Sequence, residues 1–251
     1  AKPQVRLEIK ARSGATRLLS SKVSSWELRH MTNEPGAGEF YPFVGVGPHP
    51  KPWPVGEEYD PELLEHGDQR NVLDEYRYWT VAAIVKDLNT KRNPLHIAVE
   101  NWKHDLNIGS LIRTANAFNV AGIHIVGKRD WNRRGAMVTD RYMNVQHHST
   151  VLEFAEWANS QQLPIIGIDN IEVSQRLEHR PLPKSCILFF GQEGSGMSEE
   201  AVAICEVVLA IEQYGSTRSI NASAAGAIAM YAWGLQHLSP ENGNNNIGEG
   251  Q

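Results

Sequence analysis

The strongest constraint on this chain is a change of pattern near residue 93. From there to about residue 238, short apolar runs of strand length alternate with segments whose apolar residues recur at helical spacing. The runs are LHIAVE (95–100), GIHIVG (122–127), PIIGID (164–169), CILFF (186–190) and VVLAI (207–211). Between and after them lie helical segments: IGSLIRTANAFNV, TVLEFAEWANSQQ, SEEAVAIC and NASAAGAIAMYAWGLQHL. Strands that are apolar throughout, rather than alternating, are covered on both faces, and helical connections fit parallel crossovers. The expected fold class is α/β, a mostly parallel sheet with helices on both faces. In such sheets ligands sit beyond the carboxyl ends of the strands.

The remainder of the chain reads differently. Residues 1–60 mix Pro and Gly with scattered aromatics, as in NEPGAGEFYPFVGVGPHPKPWPVGEEYDP, which breaks both periods. An irregular arm is expected there, held to the body by Trp26, Phe40, Tyr41, Phe43 and Trp53. Residues 61–94 form a helical extension, with Val72, Tyr76, Trp79, Ala83 and Ile84 on one stripe. The globular domain then spans 95–238, and 239–251 (PENGNNNIGEGQ, preceded by Ser239) is a polar tail expected to be disordered.

Composition removes several function classes. No apolar run approaches the roughly 18 residues of a bilayer span, and the amino-terminal residues lack the apolar core of a secretory signal. RSGATRLLSSK has some of the composition of a transit peptide, but a cytoplasmic protein is the expectation. Two cysteines make no disulfide framework, and Cys186 and Cys205 both sit in apolar settings. The histidines are scattered except for His147-His148, and no metal site is expected. Net charge is −5, which argues against indiscriminate nucleic-acid binding. Between residues 101 and 141, however, seven Lys/Arg face three Asp. Lys128, Arg129, Arg133, Arg134 and Arg141 surround Trp131 in a pattern that suits either a solvated loop or an RNA surface of phosphate contacts and stacking.

Three polar clusters fall at strand ends. The first, NWKHDLNIGSLIRTANAF, turns through Asn107 and carries Arg113 on the helix that follows. Asn107 suits a cap, and Arg113 could snorkel to water, pair with an acid or present a fixed fork of donors to a phosphate. The second, LFFGQEGSGMSEEA, leads through Gly191, Gly194 and Gly196 to a helix capped by Ser198. Its spacing is neither the Rossmann fingerprint nor a Walker loop. Glu193 among the glycines argues against a pyrophosphate and suits a neutral or cationic ligand better. The third, IEQYGSTRSINAS, precedes the last helix. Ser219 or Ser216 as an N-cap accounts for one hydroxyl and leaves Arg218, Asn221 and Ser223 without a role.

In this order the three clusters resemble the signature motifs of the SpoU-type RNA ribose 2'-O-methyltransferases of the SPOUT superfamily. The likeness covers 95 to about 237. NIGSLIRTANAFNVAGIHIVG is similar to that family's first motif, FFGQEGSGMS to its second, and Ser219-Ile220-Asn221-Ala222-Ser223 to the core of its third. The chain departs from the family at Glu212, where proline is usual, and in TDRYMNVQHHSTV, which lacks the family's small-residue pattern. The resemblance implies a carboxy-terminal trefoil knot and S-adenosylmethionine bound by the second and third motifs. Phe190, Gly191, Gln192, Gly194, Gly196, Ile211, Gln213, Ser219 and Ile220 would contact it. It also implies a homodimer packed through the last helix. The implied reaction is methylation of a ribose 2'-hydroxyl in structured RNA, transfer RNA being preferred to ribosomal RNA. Arg113 would hold the phosphate beside the target ribose and Asn107 would order Arg113. Ser219 and Asn221 would orient the ribose or the methionine end, and Glu193 would contact ligand or fix the glycine loop. The rival is a catalytically inactive RNA-binding protein on the same fold; a Rossmann-type nucleotide enzyme is disfavoured by the glycine spacing.

Overall fold

The computed structural model describes residues 45–102, 107–192 and 194–238. The compact unit that carries the site comprises 47–68 and the residues from 72 onward, whereas 45–46 and 69–71 belong to another unit. Most of the expected arm (1–44) and the tail (239–251) lie outside the described residues, as do Lys103–Leu106 and Glu193.

Among the described residues the unit holds a seven-stranded sheet in which every pairing is parallel. In chain order the strands are β1 (Asn93–Asn101), β2 (Val120–Gly127), β3 (Val145–His148), β4 (Ile165–Ile168), β5 (Gln175–Arg176), β6 (Cys186–Phe190) and β7 (Val207–Ala210). Their order in space is β3-β2-β1-β6-β4-β7-β5. The helices are α1 (Pro61–His66), α2 (Val81–Thr90), α3 (Asn107–Ala117), α4 (Val151–Ser160), α5 (Glu199–Ala203) and α6 (Ala222–His237). The five apolar runs all become strands, and β6 is buried at every position, as a strand covered on both faces must be.

Two apolar clusters lie on the two faces. One joins Leu95, Ile97, Val99 and Leu188 of the sheet to Ile108, Leu111 and Ile112 of α3 and to Met230 and Trp233 of α6. The other joins Ala98, Ile187 and Phe189 to Phe154 and Ala158 of α4 and Ala201 of α5. Trp233 is fully buried, and its indole N–H donates to the carbonyls of Pro183 and Lys184, both at 3.2 Å, so the largest side chain of the core leaves no polar atom unpaired. Contact between α3 and α6 depends on Gly226, where a Cβ would collide with Leu111 Cδ1.

Three features depart from the sequence reading. The continuous stripe expected from Val72 to Ile84 is broken: a 3-10 turn covers Asp74–Tyr76, Tyr78 sits at φ 64°, and α2 starts only at Val81. Thr80 stops the earlier turn and starts the new helix, its Oγ1 accepting from Ala83 N at 3.1 Å. The edge strands β3 and β5 were not anticipated, because VQHH holds a single apolar residue and QR none. The cap of α6 is Asn221, rather than Ser219 or Ser216; its Oδ1 accepts from Ser223 N at 3.0 Å and Ala224 N at 3.3 Å. Ser198 does cap α5, accepting from Ala201 N at 3.1 Å. Trp53 is half-buried, donating to His49 O at 3.2 Å, with Lys51 Nζ 5.1 Å from its ring centroid.

Candidate active site

Strands β6, β4 and β7 are neighbours, so the segments leaving their carboxyl ends converge. Beyond those ends lies a cavity of about 560 Å³. Phe190, Gly191, Gln192, Gly194 and Gly196 line it from the second cluster, and Ile211, Gln213, Ser219, Ile220 and Asn221 from the third. Each residue assigned above to S-adenosylmethionine is thus on its wall. Arg218, Asp169 and Asn170 are there too.

The glycine segment is shaped by close approach rather than by flexibility. A Cβ on Gly191 would run into Gly196 C and Met197 N, so only glycine fits where the chain folds back on itself. Gln192 and Gly196 exchange both backbone hydrogen bonds, Gln192 N to Gly196 O at 3.1 Å and Gly196 N to Gln192 O at 3.0 Å. Gly196 holds φ +69°, and a Cβ there would press on Asp169 Oδ2.

Side chains then lock the three clusters together. Asp169 Oδ2 accepts from Met197 N at 2.6 Å, tying the end of β4 to the glycine segment. Asn170 Nδ2 donates to Arg218 O at 2.8 Å, tying it to the third cluster. Asn221 Nδ2 donates to Asn107 Oδ1 at 2.7 Å, which joins the third cluster to the first. The fully buried Glu100 adds a fourth link, accepting from Ser198 N and from Trp102 Nε1, both at 2.8 Å. Sequence reasoning missed Asp169, Asn170 and Glu100. A signal for the first two was present, since DN follows an apolar run and so sits at a strand's carboxyl end.

Arg113 projects from α3 and is exposed, with no partner among the described residues. It does not line the cavity. The amino-terminal turns of α3 nevertheless reach both the site and the basic segment. Asn107 meets Asn221 at one side, while at Gly109 a Cβ would lie 2.6 Å from Ala136 N, so α3 and 133–136 are pressed together.

In the basic segment Lys128, Arg129, Arg133, Arg134 and Arg141 are exposed. Trp131 is half-buried against the main core cluster, and Arg133 stacks over it, its guanidinium 5.3 Å from the ring centroid. Arg133 also pairs with Asp140 at 2.9 Å. Trp131, Arg133 and Arg141 border a second depression of about 470 Å³. Asn101, fully buried at the end of β1, holds this segment by donating from Nδ2 to Lys128 O at 2.7 Å and Asp130 O at 2.9 Å. It was another residue that sequence reading passed over, because a single Asn at a strand end is ordinary.

Glu212, the departure from the family pattern, turns away from the cavity and pairs with Arg176 Nε of β5 at 2.7 Å. Burial pushes the thiols of Cys186 and Cys205 up to about 12, so both are poor nucleophiles. Among the described residues no group of three or more His, Cys, Asp or Glu is placed to hold a metal ion, and no helix is long and apolar enough to cross a membrane.

The SpoU rRNA Methylase family model matches residues 94–231, more than half of the chain. The chain belongs to the SpoU rRNA methylase family. Among its relatives is a tRNA (guanosine(18)-2'-O)-methyltransferase of Borreliella burgdorferi, 27% identical over 154 residues covering 60% of this chain and 71% of the relative. The enzyme of that name in Escherichia coli is 28% identical over 157 residues, covering 60% and 67%. Among solved structures, the A. aeolicus TrmH/SpoU tRNA modifying enzyme superposes with TM-score 0.56 at 22% identity, covering 65% of this chain and 86% of that one. The SpoU methyltransferase AviRb from Streptomyces viridochromogenes, solved with AdoMet, gives TM-score 0.54 at 20% identity, covering 61% and 62%. These structural likenesses show that the fold is shared.

Proposed function

We propose that this SpoU family member transfers a methyl group from S-adenosylmethionine to a ribose 2'-hydroxyl in a structured RNA, with transfer RNA as the substrate class. The observation that carries the reading is the cavity beyond β6, β4 and β7, walled by the second and third clusters and bonded through Asn221 and Asn107 to the helix that bears Arg113. Transfer RNA is favoured because the relatives in Borreliella burgdorferi and Escherichia coli are named for a guanosine of tRNA.

The cavity's residues fit the cofactor. The fold-back at Gly191 brings backbone close to whatever occupies the space, and the wall combines apolar Phe190, Ile211 and Ile220 with polar Asp169 and Ser219. When bound, S-adenosylmethionine supplies a methyl group on a sulfonium, activated for in-line attack by an oxygen. The chain's task is then to orient that oxygen and disperse its developing charge. Arg113, with its planar fork of donors, acts as an electrostatic clamp on the phosphate beside the target ribose. Asn221 and Asn107 are positioning residues, because Asn221 Oδ1 is engaged in the α6 cap and Asn221 Nδ2 donates to Asn107 Oδ1. Ser219, exposed at the cavity, offers a hydroxyl to the ribose or to the methionine end. Glu193 lies outside the described residues.

Lys128, Arg129, Arg134 and Arg141 form the phosphate-binding surface, reached from the site along α3. A trefoil knot in the last third accounts for the way β7 and the segment to Asn221 close on β4. A homodimer through α6 is supported by Ile228, Tyr231, Leu235 and Leu238, an exposed apolar stripe on a helix whose other side is core. Incubating the protein with unmodified tRNA and S-adenosylmethionine, then mapping 2'-O-methyl positions by mass spectrometry, tests the reading. A single methylated ribose supports it. Cofactor binding without methylation of tRNA or ribosomal RNA would favour the inactive RNA-binding alternative.

A further inference from the structure

Met137 and Val138 are apolar, yet neither joins an apolar cluster of the fold. They are 63% and 53% exposed, and both hold left-handed backbone, at φ 47° and 68°. That region is uncommon for any side chain and costly for one branched at Cβ. Two such residues in succession persist only where the surroundings fix them. Here 3-10 turns at 133–136 and 139–142 hold the chain on either side. Buried Thr139 donates from Oγ1 to Ala136 O at 2.7 Å, and Arg133 pairs with Asp140 at 2.9 Å, so both feet of the tip are tied. The result is a fixed prong that presents two apolar side chains to solvent.

We propose that the Met137-Val138 tip inserts into the base stack of the substrate RNA, and that the displaced base rests in the adjoining depression. The inference rests on the RNA reading above and goes beyond it by naming a contact to a base rather than to a phosphate. Val138 itself borders the depression of about 470 Å³, with Trp131, Met143 and Val145 as further apolar wall and Arg133 and Arg141 as its cations. Arg133 lies over Trp131, yet its side chain is 74% exposed, and a guanidinium plane is a surface on which an unstacked base stacks. The charge around the tip selects the occupant. From 128 to 141 five Lys/Arg stand against Asp130 and Asp140, which favours a polyanion. Apolar side chains set among such cations are a device by which proteins part neighbouring bases.

The position fits the reaction. A Cβ on Gly109 of α3 would lie 2.6 Å from Ala136 N, and Arg113 follows one turn later on the same face of that helix. The prong therefore stands on the side of α3 that carries the residue assigned to the target phosphate. Parting the stack there frees the nucleotide to turn toward the cavity.

Met137→Gly with Val138→Gly removes the prong and accepts the backbone it leaves, so the double variant is expected to melt close to the wild type. The full chain is titrated into a tRNA transcript carrying 2-aminopurine next to the ribose that the wild type methylates. Wild-type binding should raise the fluorescence as the reporter leaves the stack. The double variant should keep the slope of log affinity against log salt, since every cation remains. It should give no fluorescence rise and methylate about tenfold more slowly, the worth of one lost base contact. Removing the base at the reporter position should restore most of its rate, because an abasic neighbour leaves no stack to part. A slow rate that the abasic RNA does not rescue would overturn the proposal and leave the tip a structural role. A fluorescence rise and a normal rate in the double variant would also overturn it, with the methyl-transfer reading still standing. So would binding of phosphatidylserine vesicles by the wild type and not by the double variant, which would assign the tip to a membrane surface. Failure of the wild type to methylate any RNA would overturn the functional reading itself, and this inference with it.

Discussion

Asn221 shows how one residue serves structure and chemistry together. Its Oδ1 satisfies two of the backbone N–H groups that open α6 and accepts from Ser223 Oγ at 2.6 Å, while its Nδ2 holds Asn107. Read from the sequence, Asn221 stood among the residues that capping left unexplained, and the cap was sought at a serine. Both are preferred cap residues, so composition alone does not separate them; the backbone does, because the helical turn begins at Ala222. Asn221→Ala should cost about 1 kcal/mol from the lost cap, read as a lower urea midpoint at unchanged slope. It should also slow methyl transfer by more than that loss of stability accounts for, because Asn107 loses its partner. Gly191 and Glu212 show the opposite limits of legibility. The need for glycine at 191 was visible as a motif, whereas the pairing of Glu212 with Arg176 depends on β5, a two-residue strand with no apolar signature.

At the scale of elements, the central strands and the helices between them were legible because burial on both faces forces continuous apolar runs. What escaped were elements held by polar contacts. Strand β3 is the clearest case, and it completes a row of three imidazoles across β1, β2 and β3. His96 Nδ1 lies 3.0 Å from His124 Nε2, and His124 Nδ1 lies 2.9 Å from His148 Nε2. Trp157 of α4 covers them, 4.0 Å between its ring centroid and that of His124, with Phe154 packed alongside. Only the adjacent pair His147-His148 was apparent in the sequence, and of that pair only His148 joins the row. Burial lowers His96 from 6.5 to about 4, and burial followed by repulsion from His96 and His148 lowers His124 to about 2. His148 is also lowered, mainly by burial, with Glu153 opposing and His147 adding to the shift. The unfolded chain thus binds protons at a higher pH than the native one. The stability contributed by the neutral row is complete above pH 6.5 and is lost as pH falls toward 4. The melting temperature should decline over that interval, and replacing His124 by glutamine should flatten the decline; an unchanged slope would contradict it.

The basic segment is an element-scale feature of another kind, built for charge rather than packing. Arg134 is exposed and makes no ion pair among the described residues. Arg134→Ala should weaken RNA binding with little regard to sequence and lower the slope of log affinity against log salt by about one. Arg133 is different, because its charge is shared with Asp140 and its plane with Trp131. A filter-binding titration at several salt concentrations separates the two.

Over the whole molecule, the sheet order places β6, β4 and β7 side by side although they are far apart in the chain, and this gathers the motifs at one rim. Alternation of strands and helices implied a parallel sheet but carried no information on spatial order, which depends on crossovers that periodicity does not record. The motifs were legible as separate clusters; their contact through Asn107 and Asn221 was not. The same scale decides assembly. Tyr231 is 59% exposed and Leu235 51%, on a helix packed to the core by Met230 and Trp233. Sedimentation should find a dimer, and Tyr231→Glu with Leu235→Glu should yield a folded monomer that has lost methyl transfer. A wild-type monomer with full activity would dismiss the dimer.

We assign cofactor binding and methyl transfer to different parts of one site, the cavity and Arg113. Measuring S-adenosylmethionine affinity and single-turnover RNA methylation side by side in the wild type and in Arg113→Ala tests it most directly. Near-wild-type affinity is expected in the variant, with methylation reduced by at least about a hundredfold, of the order seen when one fixed donor to a developing anion is removed. Near-normal methylation by Arg113→Ala would contradict it.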